Sequence, residues 1–433
     1  MGTIVRSSVS SFRKQKKGKG RGVANIAGEH IIIITVIYIY YIHIIIPMPN
    51  EGPVMEENVL TWRMPLTEGK RPSARGGHTA VLVHHDLIVF GGHSYMGSGK
   101  FMYFEDTCVL DLESNTWHKV RTGGDSPSGR YGHSANVVDG KIYVIGGKAE
   151  SGQSCKDVYF LDTDSWCWVR VSSATSGPCG RFGHATTVVG SKIVVSGGWD
   201  GAQCFDDTWI FNTLSCTWMK PATTGRGPSP RHGHSLELIP NGSILVFGGF
   251  GMNATTGAPE YLKDVVSLNT ETMEWSRPRV RGEYPLGRYA HTSCVVGKYL
   301  LCTGGWFAGM SSESKQRGSK KNVDTSLGGH QKIIALDTET MVWCAPRSKG
   351  RVPEHRYGHA VVSADTQIII FGGWGGNRAL NDIHVAEMFG PIVEWFEDEQ
   401  EERESNTRAS DEGEDDEDEE DGVETVSEDG LGL

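Results

Sequence analysis

The chain has 433 residues, 56 of them glycine, and a formal net charge of −11. That charge is segregated: the N-terminal segment is basic, the C-terminal segment strongly acidic and the long middle close to neutral, so the middle lacks the basic balance of a nucleic-acid binder. Nine cysteines without regular spacing or a paired C-x-x-C argue against a disulfide framework and for a reduced, cytoplasmic protein, with the nucleus also open.

Residues 1–30 carry a basic run between Arg13 and Arg21 among Ser and Gly, and are expected to be disordered. Residues 31–46 contain only Ile, Thr, Val, Tyr and His. As a helix they would span about 24 Å, short of the roughly 30 Å hydrocarbon core, and their β-branched composition disfavours a helix. Tyr38, Tyr40, Tyr41 and His43 are interfacial rather than central residue types. The preferred reading is a low-complexity extension ahead of a start at Met48 or Met55; a short membrane anchor is the alternative. A secretory signal is disfavoured, because no small-residue cleavage site precedes Pro47.

From residue 57 the chain repeats. A four-residue element, R-x-[GA]-H, begins at Arg75, Arg130, Arg181, Arg231, Arg288 and Arg356, and a Gly-Gly doublet follows each at Gly91, Gly146, Gly197, Gly248, Gly304 and Gly372. Trp62, Trp117, Trp168, Trp218, Trp275 and Trp343 each lie thirteen residues before one of those arginines. Four of the tryptophans also follow an aspartate by eleven residues, at Asp106, Asp157, Asp207 and Asp264. Within one period, β-branched runs such as ATTVV and KIVVS alternate with turn residues, which makes four short strands in about fifty residues: the signature of a propeller blade. Asp139-Gly140, Gly190-Ser191 and Asn241-Gly242 read as hairpin turns, and the stretches opening on Asp162 and Asn269 as turns between third and fourth strands.

The two ends of the repeat region are complementary. The stretch around Trp62 has a fourth strand with no first three, whereas eleven residues after Asp382 stands Val393 instead of Trp. The sequence therefore predicts an all-β, six-bladed propeller over residues 57–390, its last blade built from residues 356–387 plus 57–63, so that the ring closes on itself. Cys108, Cys294 and Cys302 fall in strands and are expected in the core. Beyond residue 390, residues 394–429 hold twenty acidic residues against Arg403 and Arg408, which predicts a disordered acidic tail at 391–433.

The Gly-Gly doublets and spaced tryptophans resemble the kelch family, over about residues 59–387. In the kelch domains of BTB-kelch ubiquitin-ligase adaptors, Arg at the position of Arg75, Arg130, Arg181, Arg231, Arg288 and Arg356 contacts acidic peptides. The resemblance implies that role here; the residues themselves equally allow a structural one. The residue after each doublet reads His93, Lys148, Trp199, Phe250, Trp306 and Trp374, and the adaptors carry Tyr there on the ligand face. Trp199, Phe250, Trp306 and Trp374 are therefore candidate anchors for a protein or peptide partner, with packing on a neighbouring loop as the competing role. Tyr131, Phe182, Tyr289 and Tyr357, each following an Arg, could extend that surface. The six histidines are expected to tie blades together, not to hold a metal, because six equivalent residues are spread around an axis. The loop from Trp306 to about Gln331, with Lys315, Arg317, Lys320 and Lys321, is the longest on that face.

Copper radical oxidases of this fold need a Tyr/His copper site with a cross-linked Cys, and no such constellation stands out. Plant specifier proteins carry E-x-x-x-D-x-x-x-H; here Glu260 and Asp264 are followed by Leu268 where His is required. No catalytic motif and no cofactor are expected. The reading is a monomeric, non-catalytic interaction scaffold, similar to the Rab effector with kelch motifs, whose ligand is a protein with an acidic segment. The alternative is the substrate-recognition subunit of a ubiquitin ligase, although no BTB, BACK or cullin-box segment is visible.

Overall fold

Each repeat folds into an antiparallel sheet, and six such sheets succeed one another along the chain. The computed structural model describes residues 59–253, 255–282, 284–307 and 333–388, and every regular element among them is a strand. The basic segment 1–30, the run 31–46, the cationic part of the loop after Trp306 and the tail 391–433 lie outside the described residues.

The third blade shows the plan: Ala185–Val189, Lys192–Ser196, Thr208–Asn212 and Thr217–Met219 lie side by side in chain order. Turn chemistry sets the register. In the second blade Val138 faces Lys141 across Asp139-Gly140, whose φ angles of 49° and 69° are those of a type I′ hairpin. Between third and fourth strands, Asp162 Oδ1 accepts the Ser165 N–H at 3.0 Å, and Asn269 Oδ1 accepts those of Glu271 and Thr272 at 2.9 Å. The sixth blade is composite. Ala360–Ala364, Gln367–Gly375 and Arg378–Met388 come from the end of the repeat region, and Val59–Arg63 pairs antiparallel with the last of them, Trp62 facing Ala386.

The core is a set of six apolar layers, one between each pair of neighbouring blades. One of these joins blades six and one: Ile369, Phe371 and Val385 against Leu87, Leu110 and Trp117. All six repeat tryptophans are buried, which contributes roughly 2–3 kcal/mol each by area. They lie against the preceding blade, not the following one: Trp168 against Phe90 at 5.0 Å between ring centres, Trp343 against Phe247 at 5.0 Å. Sequence spacing carries no handedness, and the sense of sheet twist decides on which neighbour an outer strand leans. Cys108, Cys294 and Cys302 are buried, and burial pushes the Cys108 thiol to about 11 and that of Cys302 to about 12.

A further regularity escaped the sequence reading. At the position seven residues after each tryptophan the chain passes the tryptophan strand of the next blade, in five of the six cases as a short parallel strand, as at Gly225 beside Trp275 and Gly350 beside Trp62. Five of these six positions are glycine: Gly69, Gly124, Gly225, Gly282 and Gly350. At Gly225 φ is +73°, and a Cβ there would stand 2.1 Å from the Trp275 carbonyl oxygen. The third blade has Thr175 instead. Its hydroxyl accepts the Trp218 N–H (2.6 Å) and donates to the Trp218 carbonyl (2.9 Å), so a side chain replaces the short parallel strand.

Candidate functional site at the axial mouth

The four residues of each R-x-[GA]-H element divide one task among them. The arginine is a clamp. Arg181 lies fully buried; Nη1 donates to the Gly197 carbonyl (2.8 Å) and to Asp207 Oδ1 (2.6 Å), Nη2 to Asp207 Oδ2 (3.1 Å), and Nε to the Cys179 carbonyl (3.1 Å). Arg75, Arg130, Arg231 and Arg356 repeat this with Asp106, Asp157, Asp264 and Asp382. Burial disfavours the Asp207 carboxylate, but the hydrogen bonds and charge of Arg181 outweigh it and hold the carboxyl below its usual range; Asp106 and Asp264 behave alike. In the fifth blade Arg288 holds the Leu286 and Gly304 carbonyls (3.3 and 3.0 Å), and among the described residues no carboxylate stands against it.

This corrects the ligand-contacting role implied for the six arginines. Arg75, Arg130, Arg181, Arg231, Arg288 and Arg356 are no more than 2% exposed, and their forks face their own blades, where they fix the Gly-Gly turn. In five of the six the fork is already bound to its own aspartate, and in all six burial keeps it from a passing carboxylate.

The third residue of the element closes a ring of backbone hydrogen bonds around the axis. Gly132 N–H donates to the Gly77 carbonyl, Gly183 to Gly132, Gly233 to Gly183, Ala290 to Gly233, Gly358 to Ala290 and Gly77 to Gly358, all at 2.7–2.8 Å. The fourth residue, histidine, wedges between blades. His133 Nε2 meets the Thr79 hydroxyl (2.9 Å), His184 that of Ser134 (3.0 Å), His291 that of Ser235 (3.2 Å) and His359 that of Thr292 (2.7 Å). Each partner is the residue after the preceding blade's histidine. Where that residue is Ala185 or Ala360, the next histidine, His234 or His78, lacks the hydroxyl partner. Burial first, and then the adjacent arginine, lowers these imidazoles to about 3 in His78, His184 and His291, and well below the ordinary value in His133, His234 and His359.

The second residue faces the axis. Tyr131, Phe182, His232, Tyr289 and Tyr357 form the wall of a cavity of about 750 Å³ at the channel mouth. The first blade has Gly76 there, and the Trp374 indole fills the gap: a Cβ on Gly76 would lie 2.0 Å from Trp374 Nε1. The residues after the doublets form an outer ring, each packed on the inner aromatic of the next blade. His93 stacks on Tyr131 at 4.2 Å, the Lys148 ammonium lies 5.2 Å over Phe182, Trp199 meets His232 at 4.9 Å, Phe250 meets Tyr289 at 6.3 Å and Trp306 meets Tyr357 at 5.2 Å.

The candidate anchors therefore separate. Trp199, Phe250 and Trp306 are half-buried in the outer ring, and Trp374 is only 8% exposed and serves as a piece of wall. The residues after the arginines, which the sequence suggested only as an extension, are the ones that line the cavity. One exposed feature had no sequence signal beyond loop length: a hairpin of His93–Gly97 and Lys100–Tyr103 in the first blade. Tyr95, Met96, Phe101 and Met102 stand exposed on it, Met96 at 60%. Further down the channel, Glu237 is the one carboxyl lining a smaller cavity, and its Oε1 accepts only the Ser293 hydroxyl (2.8 Å). Burial pushes it up to about 8, against the lowering effect of Ser293.

Comparison with known proteins agrees with this architecture. Residues 47–154 and 95–305 match the KLHDC2/KLHL20/DRC7 Kelch-repeats domain, and residues 355–385 match the Kelch motif. The chain is 29% identical to host cell factor of Drosophila melanogaster, over 79% of this chain and 24% of that protein. It is 30% identical to host cell factor 2 of Homo sapiens (75% and 43%), and 28% identical to the Rab9 effector protein with kelch motifs of Homo sapiens (62% and 55%). It thus spans less than half the length of either host cell factor.

Proposed function

Because the chain belongs to the kelch-repeat family, and because one face of its ring carries an exposed apolar hairpin, we propose that it is a non-catalytic scaffold that binds a protein partner on that face. The observation that carries the reading is the hairpin itself. Four large apolar side chains crowd one exposed two-stranded loop beside the outer aromatic ring, and a contiguous apolar patch of that kind on a soluble surface marks an interaction site. Trp199, Phe250 and Trp306, half-buried on the same face, extend the contact area at little entropic cost. The similarity to a protein named as a Rab9 effector supports the same class of function.

The partner's contact is apolar in this reading. The acidic-segment preference rested on the six arginines, all of which are buried within the blades, five of them on their own aspartates. The test compares the full chain with its Met96→Ser/Met102→Ser and Trp306→Ala variants as baits, with cross-links mapped by mass spectrometry. A partner cross-linked to the hairpin, and lost from the variants at unchanged melting temperature, supports the reading. Equal capture by all three baits, or cross-links confined to the opposite face, refutes it.

A further inference from the structure

The cavity behind the hairpin has a chemistry of its own. Its wall consists of Tyr131, Phe182, His232, Tyr289, Tyr357 and the Trp374 indole, and none of the side chains lining it carries a formal charge at neutral pH. Burial lowers His93 and His232 to about 4, so both imidazoles are neutral. Of the five arginines one residue behind the wall, Arg130, Arg181, Arg231 and Arg356 are held by their own aspartates and Arg288 is turned onto the Leu286 and Gly304 carbonyls; Lys148 lies over Phe182 without lining the cavity.

Polar groups nevertheless converge on the space. The Tyr131 phenol is pushed to about 12, and those of Tyr289 and Tyr357 are raised as well, in each case by burial, so all three remain neutral donors and acceptors. Among the described residues none of the three hydroxyls has a hydrogen-bonding protein partner. His93 adds an acceptor. Its Nδ1 lies 2.9 Å from the Gly76 carbonyl, which can only accept, so the ring proton sits on Nδ1 and Nε2 keeps its lone pair.

We propose that this cavity binds a small, uncharged aromatic molecule bearing at least one polar group, stacked on the inner aromatic ring and hydrogen-bonded to the tyrosine hydroxyls and His93 Nε2. The volume is that of a small-molecule site, and a few convergent polar groups in an aromatic wall are its usual makeup. A charged ligand is disfavoured because it would leave water for a site with no counter-charge. The cavity borders the hairpin through His93, Tyr95 and Phe101, but Met96 and Met102 of the hairpin and Phe182 of the wall are not shared, so variants at those positions separate the two readings.

Photolabelling of the full chain tests the assignment with two probes of one skeleton: benzophenone, which is neutral and carries a carbonyl acceptor, and 4-benzoylbenzoate, its carboxylate. The expected result is saturable benzophenone labelling, with adducts on the peptides containing Tyr131, Phe182 and Tyr289. The carboxylate should label these about tenfold less well at equal concentration. Phe182→Arg, which puts a cation into the wall, should reverse that preference while hairpin cross-links to a protein partner persist. Should this variant not fold, the two probes on the wild-type chain decide alone. Equal labelling by both probes, adducts only elsewhere, or labelling that does not saturate overturns the proposal.

Discussion

Arg181 and Phe182 are neighbours in one motif, recur in equivalent positions around the ring, and end in opposite environments. The arginine points back into its blade and binds a carboxylate and a glycine carbonyl; the phenylalanine points to the axis and meets the Tyr131 ring, the Lys148 ammonium and open space. Six-fold recurrence is therefore no guide to which residue a ligand can reach. What separates them is whether the repeat supplies an internal partner on every side. Asp207 recurs with Arg181, and the ion pair closes on itself, whereas Phe182 is covered by Lys148 yet still borders the open cavity.

The sharpest way to break the internal layer is acid, because it also contains the six buried histidines. Their folded pKa values lie far below the unfolded value of about 6.5. Stability is then full above pH 6.5 and falls as pH drops towards the folded values, by up to about 1.4 kcal/mol per histidine per pH unit. Cooperative acid unfolding should begin between about pH 6 and 5 and take up about six protons, read from the pH dependence of urea midpoints. The aspartates, depressed by their arginines, add their own loss only below about pH 3.8. A flat stability profile from pH 7 to 4.5 would show that the histidines are not shut away as neutral wedges.

Next in size is the contrast between the two neighbours. Arg181→Ala should cost about 3 kcal/mol, since it leaves the half-buried Asp207 with the Trp209 N–H but without its cation, and the Gly197 carbonyl without the Arg181 donor. Phe182→Leu should cost less than about 1.5 kcal/mol, because the ring borders open space. Urea denaturation of both checks the order; if the phenylalanine variant proves the weaker protein, the division between clamp and wall is wrong.

Glu237 sharpens the comparison from the other side, as a central carboxyl for which the repeat supplies no cation. Other blades carry Val81, Asn136, Thr187, Cys294 and Val362 at its position. With a folded value of about 8 against an ordinary 4.5, stability falls as pH rises through that window and levels off above it. Glu237→Gln should be neutral near pH 4 and stabilising at pH 8, by at most about 1.4 kcal/mol for each unit between. That is an upper bound, because the side chain is not fully shut off from the channel. Equal melting of the two proteins at pH 8 would place the carboxylate in a solvated setting.

Much of this fold was legible because a repeat writes its rules several times. The strands, the turns at Asp139 and Asn269, and the pairing of the strand around Trp62 with the last repeat all follow from spacing. The Arg–Asp clamp was half legible: both residues recur, but nothing in a linear spacing says that two residues twenty-six apart share a bond. The cavity wall was less so. The position after each arginine reads Gly76, Tyr131, Phe182, His232, Tyr289 and Tyr357, and its orientation depends on the backbone ring formed by the next residue. That Trp374 repairs the gap over Gly76 is a contact between the two ends of the repeat region, invisible to any local pattern.

The smallest effect concerns the position seven residues after each tryptophan, where one blade departs from its sisters. Glycine there lets the chain lie against the tryptophan backbone; at Thr175 a hydroxyl does so instead, satisfying both the N–H and the carbonyl of Trp218. Thr175→Val keeps the shape and removes both hydrogen bonds, which at this half-exposed edge should cost about 1 kcal/mol. Gly225→Val at the sister site should cost more, since it forces a β-branched residue to φ of +73° and drives its Cβ into the Trp275 carbonyl. Hydrogen exchange separates the two outcomes. In Thr175→Val the Trp218 amide alone should lose protection, whereas in Gly225→Val the whole short strand Thr224–Gly225 should detach from Glu274–Ser276. A Trp218 amide that keeps its full protection without the Thr175 hydroxyl would mean that the third blade covers its outer edge in some other way.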